Sequence, residues 1–225
     1  MDVPNIFNLV ERYEKSAVIR ALVQLIPMGI GSAADTALLT RIQAIRSERA
    51  RIFFDELSAG AVDLRPELLE SHEFLHCYFA TATAALRTQR KEKIQSLARL
   101  LRSSTLNGKI TVIDQYEEFL SILDELSQRE LLVLVALSEL EQRHPRQGDE
   151  SELQRTNRYW DRFVQKLEAD LSIPQAEVGA VLTRLNRTGC YETITGAFFD
   201  YEGGKGKITP LFYRLKELAL SEESQ

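Results

Sequence analysis

The chain has 225 residues, enough for one large domain or two small ones. Its 44% hydrophobic and 27% charged content is that of a globular protein with a packed core, not of a disordered chain. Thirty-three acidic residues against 28 basic ones leave a net charge of −5, so any binding to nucleic acid or anionic lipid needs a local basic face.

At the start of the chain, residues 1–13 carry Asp2, Glu11 and Arg12, unlike a secretory signal. Apolar residues at three- and four-residue spacings, Ile6, Leu9, Val10, Tyr13, Ala17, Leu22 and Ile26 among them, predict an amphipathic helix over 6–26. The apolar stretch 17–39 is broken by Arg20, Gln24, Pro27, Gly29, Gly31 and Asp35, which excludes a membrane-spanning run of about 18 residues. Cys77 and Cys190 lie far apart and belong to no metal-like or redox pair. These features lead us to expect a cytoplasmic protein with no membrane segment and no cofactor.

Pro27 to Gly31 stops the first helix, and Ser32 with Asp35 makes an approximate capping box for a second, which runs to about Ala59. Leu38, Leu39, Ile42, Ile45, Ile52, Phe53 and Leu57 are its expected inward face. The short loop Gly29-Ile30-Gly31-Ser32 lacks the lysine and preceding strand of a nucleotide loop and reads as a helix–helix corner. A third helix is expected from about Pro66 to Leu86, with Leu68, Leu69, Phe74, Leu75, Tyr78 and Phe79 in the core.

Residues 88–104 form the most charged predicted helix; Arg87, Arg90, Lys91, Lys93, Arg99 and Arg102 face Glu92 alone within 86–106. This basic run reads as a solvated face answered by Glu117, Glu118, Asp124 and Glu125, or else as a site for a phosphate backbone or an acidic partner. Asn107-Gly108 breaks the chain, and a helix over 112–125 places Val112, Tyr116, Phe119, Leu120 and Leu123 on one face.

Ser127 caps a strongly apolar helix ending near His144-Pro145, and 145–152 is a polar loop. Helices are then expected over 153–171 and 174–187, joined by Ser172-Ile173-Pro174. Cys190 to Thr195 has β-type residues, Gly203, Gly204 and Gly206 mark a hairpin tip, and Lys207-Ile208-Thr209 returns as a second strand. No strand is expected before residue 190. A last helix runs from Thr209 or Pro210 through Leu220.

The fold class expected is therefore mainly α: a helical bundle over 1–125 followed by a winged helix-turn-helix domain with a small β-hairpin wing over 127–220. In this ordering residues 127–220 resemble the winged-helix domains of bacterial transcription factors. The phrase Leu182-Thr183-Arg184-Leu185-Asn186-Arg187-Thr188-Gly189-Cys190-Tyr191 resembles the end of their recognition helix, and Ile208-Thr209-Pro210-Leu211-Phe212 resembles their exit from the wing. The wing is acidic at Asp200 and Glu202 as well as basic at Lys205 and Lys207, a departure from the pattern. Upstream, Leu86 to Ile94 and Tyr116-Glu117-Glu118-Phe119-Leu120 leading to Leu123-Asp124-Glu125-Leu126-Ser127 resemble bacterial helical-bundle proteins with a C-terminal winged helix and no assigned chemistry.

Three function classes follow. In a DNA-binding regulator the second helix of the helix-turn-helix unit enters the major groove. Its exposed positions are Gln175, Glu177, Thr183, Arg184, Asn186 and Arg187, with Lys205 and Lys207 of the wing meeting phosphates. Residues 126–225 hold 13 Lys and Arg against 16 Asp and Glu, so an acidic surround opposes that role. The alternative is a protein-interaction or oligomerisation module without DNA binding, its partner a second copy or another protein.

The third class rests on His72-Glu73-Phe74-Leu75-His76, which matches H-E-x-x-H. Histidines four apart share a helix face and can hold zinc, while Glu73 serves as general base of a hydrolase. A catalytic zinc needs a third protein ligand; His144 is the chain's only other histidine, and Glu92, Glu117 or Glu118 are carboxylate alternatives that sit in no recognisable ligand motif. Without that ligand the histidines read as the border of a core helix. Cys77, adjacent to His76, points elsewhere on such a helix and forms no thiol–imidazole pair with it.

Overall fold

The structure is a computed structural model that describes residues 17–26, 36–59, 66–106, 109–110, 112–195 and 204–221. It is mainly helical, with ten α-helices and two short antiparallel strand pairs among the described residues. Among those residues no helix is long and apolar enough to cross a membrane. The chain divides into two compact units, residues 1–125 with 218–225, and residues 126–217. The capping residues Ser32 and Asp35, the corner 27–31 and the start of the 6–26 helix lie outside the described residues.

In the first unit, α1 (Ala17–Leu25) and α2 (Thr36–Ser58) lead through a 3-10 turn (Pro66–Glu70) to α3 (His72–Arg87), α4 (Lys91–Ser103) and α5 (Ile113–Glu125). Helix α2 packs along α3 and α4, and α3 packs on α5. The core comes from all five helices; Leu22, Phe53, Phe54, Phe74, Leu97 and Phe119 are almost fully buried. Burying side chains of this size is worth roughly 1.5–3 kcal/mol each, which is what holds short helices together.

Four expectations are corrected here. The third helix does not begin at Pro66: the proline opens a 3-10 turn, and the α-helix starts at His72 because Ser71 is extended and its hydroxyl accepts from the Phe74 amide at 3.2 Å. Ile42 and Ile45 do not face the core; Ile45 is 50% exposed. The buried stripe of α2 is Ser47, Ala50, Phe53, Phe54 and Leu57, and the two isoleucines fall off that stripe at 100° per residue. Phe79 and Val112, also expected inward, are exposed. A strand pair does precede residue 190: β1 (Thr105–Leu106) and β2 (Lys109–Ile110) flank Asn107-Gly108, the dipeptide that favours a tight hairpin.

The basic helix α4 is committed largely within its own unit. Arg99 Nε lies 2.6 Å from Glu56 Oε1, Gln95 donates to Glu56 Oε2 at 2.9 Å, and Arg102 Nη1 donates to the Glu56 carbonyl at 2.9 Å. Arg49 Nη1 donates to the Leu86 carbonyl at 2.6 Å. Arg102 and Arg49 thus donate to carbonyls in the last turns of α2 and α3, and the Glu56 carbonyl also accepts from the Ala59 amide at 3.2 Å. Arg87 reaches Asp124 at 3.2 Å and Lys93 donates to the Asp124 carbonyl, part of the acidic answer expected from sequence. Two buried tyrosines complete the unit: Tyr78 donates to the Leu22 carbonyl and Tyr116 meets the Thr81 hydroxyl.

The second unit runs α6 (Gln128–Arg143), α7 (Glu152–Asn157), α8 (Trp160–Leu171), α9 (Gln175–Asn186), β3 (Tyr191–Thr193), β4 (Gly206–Ile208) and α10 (Pro210–Ala219). Ser127 caps α6 in a full capping box with Glu130, and Ser151 caps α7 in another with Gln154. The single helix expected over 153–171 is broken at Arg158-Tyr159. Tyr159 leaves helical geometry (φ −130°, ψ −4°) while its ring is buried and packs against His144. Arg158, from the same break, donates to the Pro145 carbonyl.

One buried carboxylate ties these elements together. Glu141, on α6 and 3% exposed, accepts from the Ile208 amide at 2.8 Å through Oε1 and from the Tyr213 hydroxyl at 3.0 Å through Oε2. Arg155 of α7 donates to the Glu141 carbonyl at 2.8 Å and to the His144 carbonyl at 2.8 Å, its guanidinium 3.9 Å from the carboxylate. Burial raises the Glu141 pKa above the ordinary glutamate value, against the opposing pull of Ile208, Tyr213 and Arg155.

A carboxyl raised in the folded state contributes stability that is present below its unfolded pKa and lost as pH rises through the folded one. Glu141→Gln keeps an acceptor for Ile208 but cannot ionise. The difference in thermal midpoint between wild type and Glu141→Gln is therefore expected to move in favour of wild type as pH falls from 7 through the carboxylate range. A difference that stays flat would show that Glu141 does not titrate in this way.

Candidate nucleic-acid interface

The turn between α8 and α9 is made at Ser172. Helix α8 ends there with a left-handed residue (φ 52°, ψ 44°), the Ile173 amide donates to the Leu167 carbonyl at 3.1 Å, and Pro174 stands before α9. A left-handed serine costs about 1–2 kcal/mol. Arg129 offsets that cost: its Nε donates to the Leu171 carbonyl at 3.2 Å and its Nη2 to the Ser172 carbonyl. Val178, Leu182 and Leu185 then bury the inner face of α9.

All five of the helix residues expected to read bases are exposed: Gln175, Thr183, Arg184, Asn186 and Arg187. They do not form one continuous basic face. At 100° per residue the middle of the outward face is taken by Ala176, Gly179, Ala180, Thr183 and Arg187, with Gln175 and Asn186 on one flank and Arg184 on the other. Thr183 spends its hydroxyl on the Gly179 carbonyl at 2.8 Å. Gln175 and Lys205 border a groove of about 430 Å³ between α8, α9 and the hairpin, where Asp161 and Glu168 also lie.

Arg184 lies at the other end of α9, beside the N-terminus of α6. Its Nη2 is 3.0 Å from Glu130 Oε1, the guanidinium being 61% exposed and the carboxylate 8%. Glu130 Oε2 meanwhile accepts from the Ser127 amide at 2.9 Å and the Ser127 hydroxyl at 2.7 Å. Burial alone raises the Glu130 pKa, but the Ser127 bonds and the charges of Arg184 and Arg187 outweigh it and hold the carboxyl below the ordinary glutamate value. The two hairpin lysines are also engaged: Lys205 donates to Asn157 Oδ1 at 2.6 Å, and Lys207 lies 3.5 Å from Glu192, its cross-strand partner.

Glu130 and Arg129 were not among the residues singled out from sequence. The spacing Ser127-x-x-Glu130 signals a capping box, but nothing local marks it as the neighbour of a residue 54 positions later. Gly203, Asp200 and Glu202 of the expected wing tip lie outside the described residues.

The H-E-x-x-H residues lie elsewhere, on the first turn of α3, and His72, Glu73 and His76 are all exposed. His76 Nε2 is 2.9 Å from Glu117 Oε1, and Glu73 accepts from the Ser71 cap hydroxyl at 3.0 Å. Among the described residues no three His, Cys, Asp or Glu side chains are grouped to hold a metal ion. Cys77, next to His76, is buried, and burial with the charge of Glu117 pushes its thiol up to about 11, well away from a reactive thiolate.

The hairpin that carries Lys205 and Lys207 has one position that tolerates no side chain. A Cβ on Gly206 would stand 2.3 Å from the Tyr191 ring and 2.4 Å from the Glu192 carbonyl oxygen, so the strands would have to part. Gly206→Ala is expected to destabilise this unit by about 1–3 kcal/mol, read as a lower midpoint in denaturant. An unchanged midpoint would show that the Tyr191–Gly206 approach is looser than described.

Comparisons of the chain with protein-family models, with curated proteins and with solved structures give no match.

Proposed function

We propose that residues 126–217 form a winged helix-turn-helix module and that the protein is a DNA-binding regulator, with residues 1–125 as its sensing or oligomerisation part. The observation that carries this reading is the order α8, three-residue turn, α9 and register-paired hairpin, with Gln175, Thr183, Arg184, Asn186 and Arg187 all at the surface of α9. The side-chain chemistry suits the role. Gln175 and Asn186 can bond adenine in bidentate fashion, Arg184 and Arg187 guanine, and Lys205 and Lys207 phosphates. If the first unit dimerises, two copies of α9 would meet half-sites about one DNA turn apart, roughly 34 Å. His72, Glu73 and His76 have no part in this reading.

A second reading, a protein-interaction module, is favoured by the pairing of Arg184 with Glu130, of Lys205 with Asn157 and of Lys207 with Glu192. The small residues Ala176, Gly179 and Ala180 on the exposed side of α9 also suit close packing against another protein better than base reading.

Titration into labelled mixed-sequence duplex at low and then moderate salt separates the two. The regulator reading expects binding that weakens steeply with salt. It also expects Arg184→Ala/Arg187→Ala to weaken binding and flatten the salt slope by about one to two. Absence of binding at low salt would replace it with the protein-interaction reading.

A further inference from the structure

Glu130 divides its two carboxylate oxygens between different tasks. Oε2 takes the Ser127 amide and hydroxyl and so closes the capping box of α6. Oε1 faces outward to Arg184 Nη2 at 3.0 Å. The cap uses one oxygen only, and a glutamine supplies that oxygen equally well. The ion pair with Arg184 is therefore not required to start the helix, and it occupies the guanidinium of a residue expected to meet DNA.

We propose that Glu130 is an internal competitor for the DNA phosphate or base edge that Arg184 would bind, holding the face of α9 in a low-affinity state. The inference rests on the DNA-binding reading and deepens it. Engaging DNA through the same Nη2 would cost Arg184 its 3.0 Å ion pair with a carboxylate that is only 8% exposed. Any phosphate brought to Arg184 also approaches Glu130 itself, and like charges repel. Glu130 thus opposes binding both before and after the exchange. Arg184 is 61% exposed, so its side chain has room to turn away once the carboxylate is neutralised.

Glu130→Gln tests this in the full-length protein, because it removes the charge and retains the cap. The probe is labelled mixed-sequence duplex, titrated over a range of salt. We expect Glu130→Gln to bind roughly three- to tenfold tighter than wild type at low salt, with a salt slope steeper by about one contact. In an Arg184→Ala background the same substitution should give a clearly smaller gain. A thermal midpoint near that of wild type would confirm that the cap is intact.

If wild type binds with salt sensitivity and Glu130→Gln binds equally or more weakly, the proposal is overturned and Glu130 is instead a positioning residue that aims Arg184. If neither protein binds at low salt, the DNA-binding reading itself fails and the proposal falls with it.

Discussion

The second unit depends on one buried charge. Glu141 joins three things that are far apart in sequence: its own helix α6, the Ile208 amide at the edge of the hairpin and the Tyr213 hydroxyl on α10. A hairpin of three residue pairs is too short to be stable alone, so something must fasten it to the helices. Apolar packing through Tyr191, Ile208 and Phe212 supplies area, but area has no direction. The Glu141 bonds set which amide of β4 meets α6, and Arg155 closes the remaining side of the carboxylate. Removing such an acceptor leaves a buried amide without a partner, at a cost of about 1–3 kcal/mol.

Glu130 and Glu141 lie on the same helix and have opposite environments. Glu141 is buried with neutral donors and an arginine 3.9 Å away, so desolvation dominates and its proton is held more tightly. Glu130 sits at the helix N-terminus, where the Ser127 donors, Arg184 and Arg187 all favour the anion. One carboxylate therefore fastens the hairpin, and the other pairs with the neighbouring arginine. Arg184, Lys205 and Lys207 likewise each meet an acceptor inside the unit.

Much of the helical order was legible from residue spacing. The cap at Ser127, the core face of α5 through Tyr116, Phe119 and Leu123, the turn 172–174 and the hairpin before Pro210 all follow from local patterns. Three of the departures are set by partners distant in sequence. The break at Tyr159 replaces helix continuity with burial of its ring beside His144, which periodicity alone does not record. Ile42 and Ile45 lie off the stripe that Ser47, Ala50, Phe53, Phe54 and Leu57 bury, and spacing alone does not say which face of α2 is covered. The arginines of α4 look like a solvated face until Glu56 and the end of α2 are placed beside them. At the candidate interface the exposed positions of α9 were legible, whereas their pairing with Glu130 was not, since α6 and α9 meet only in the folded unit.

Amide hydrogen exchange at Ile208 is the most direct test of the constraint on which this arrangement rests. The amide lies next to the chain's exit from the hairpin, and its acceptor is the Glu141 side chain. If that bond fastens the hairpin, Ile208 exchanges only when the whole unit opens, as slowly as the core amides of α6, and loses that protection in Glu141→Ala. An Ile208 amide exchanging as fast as a solvent-exposed one in the native protein would contradict the account.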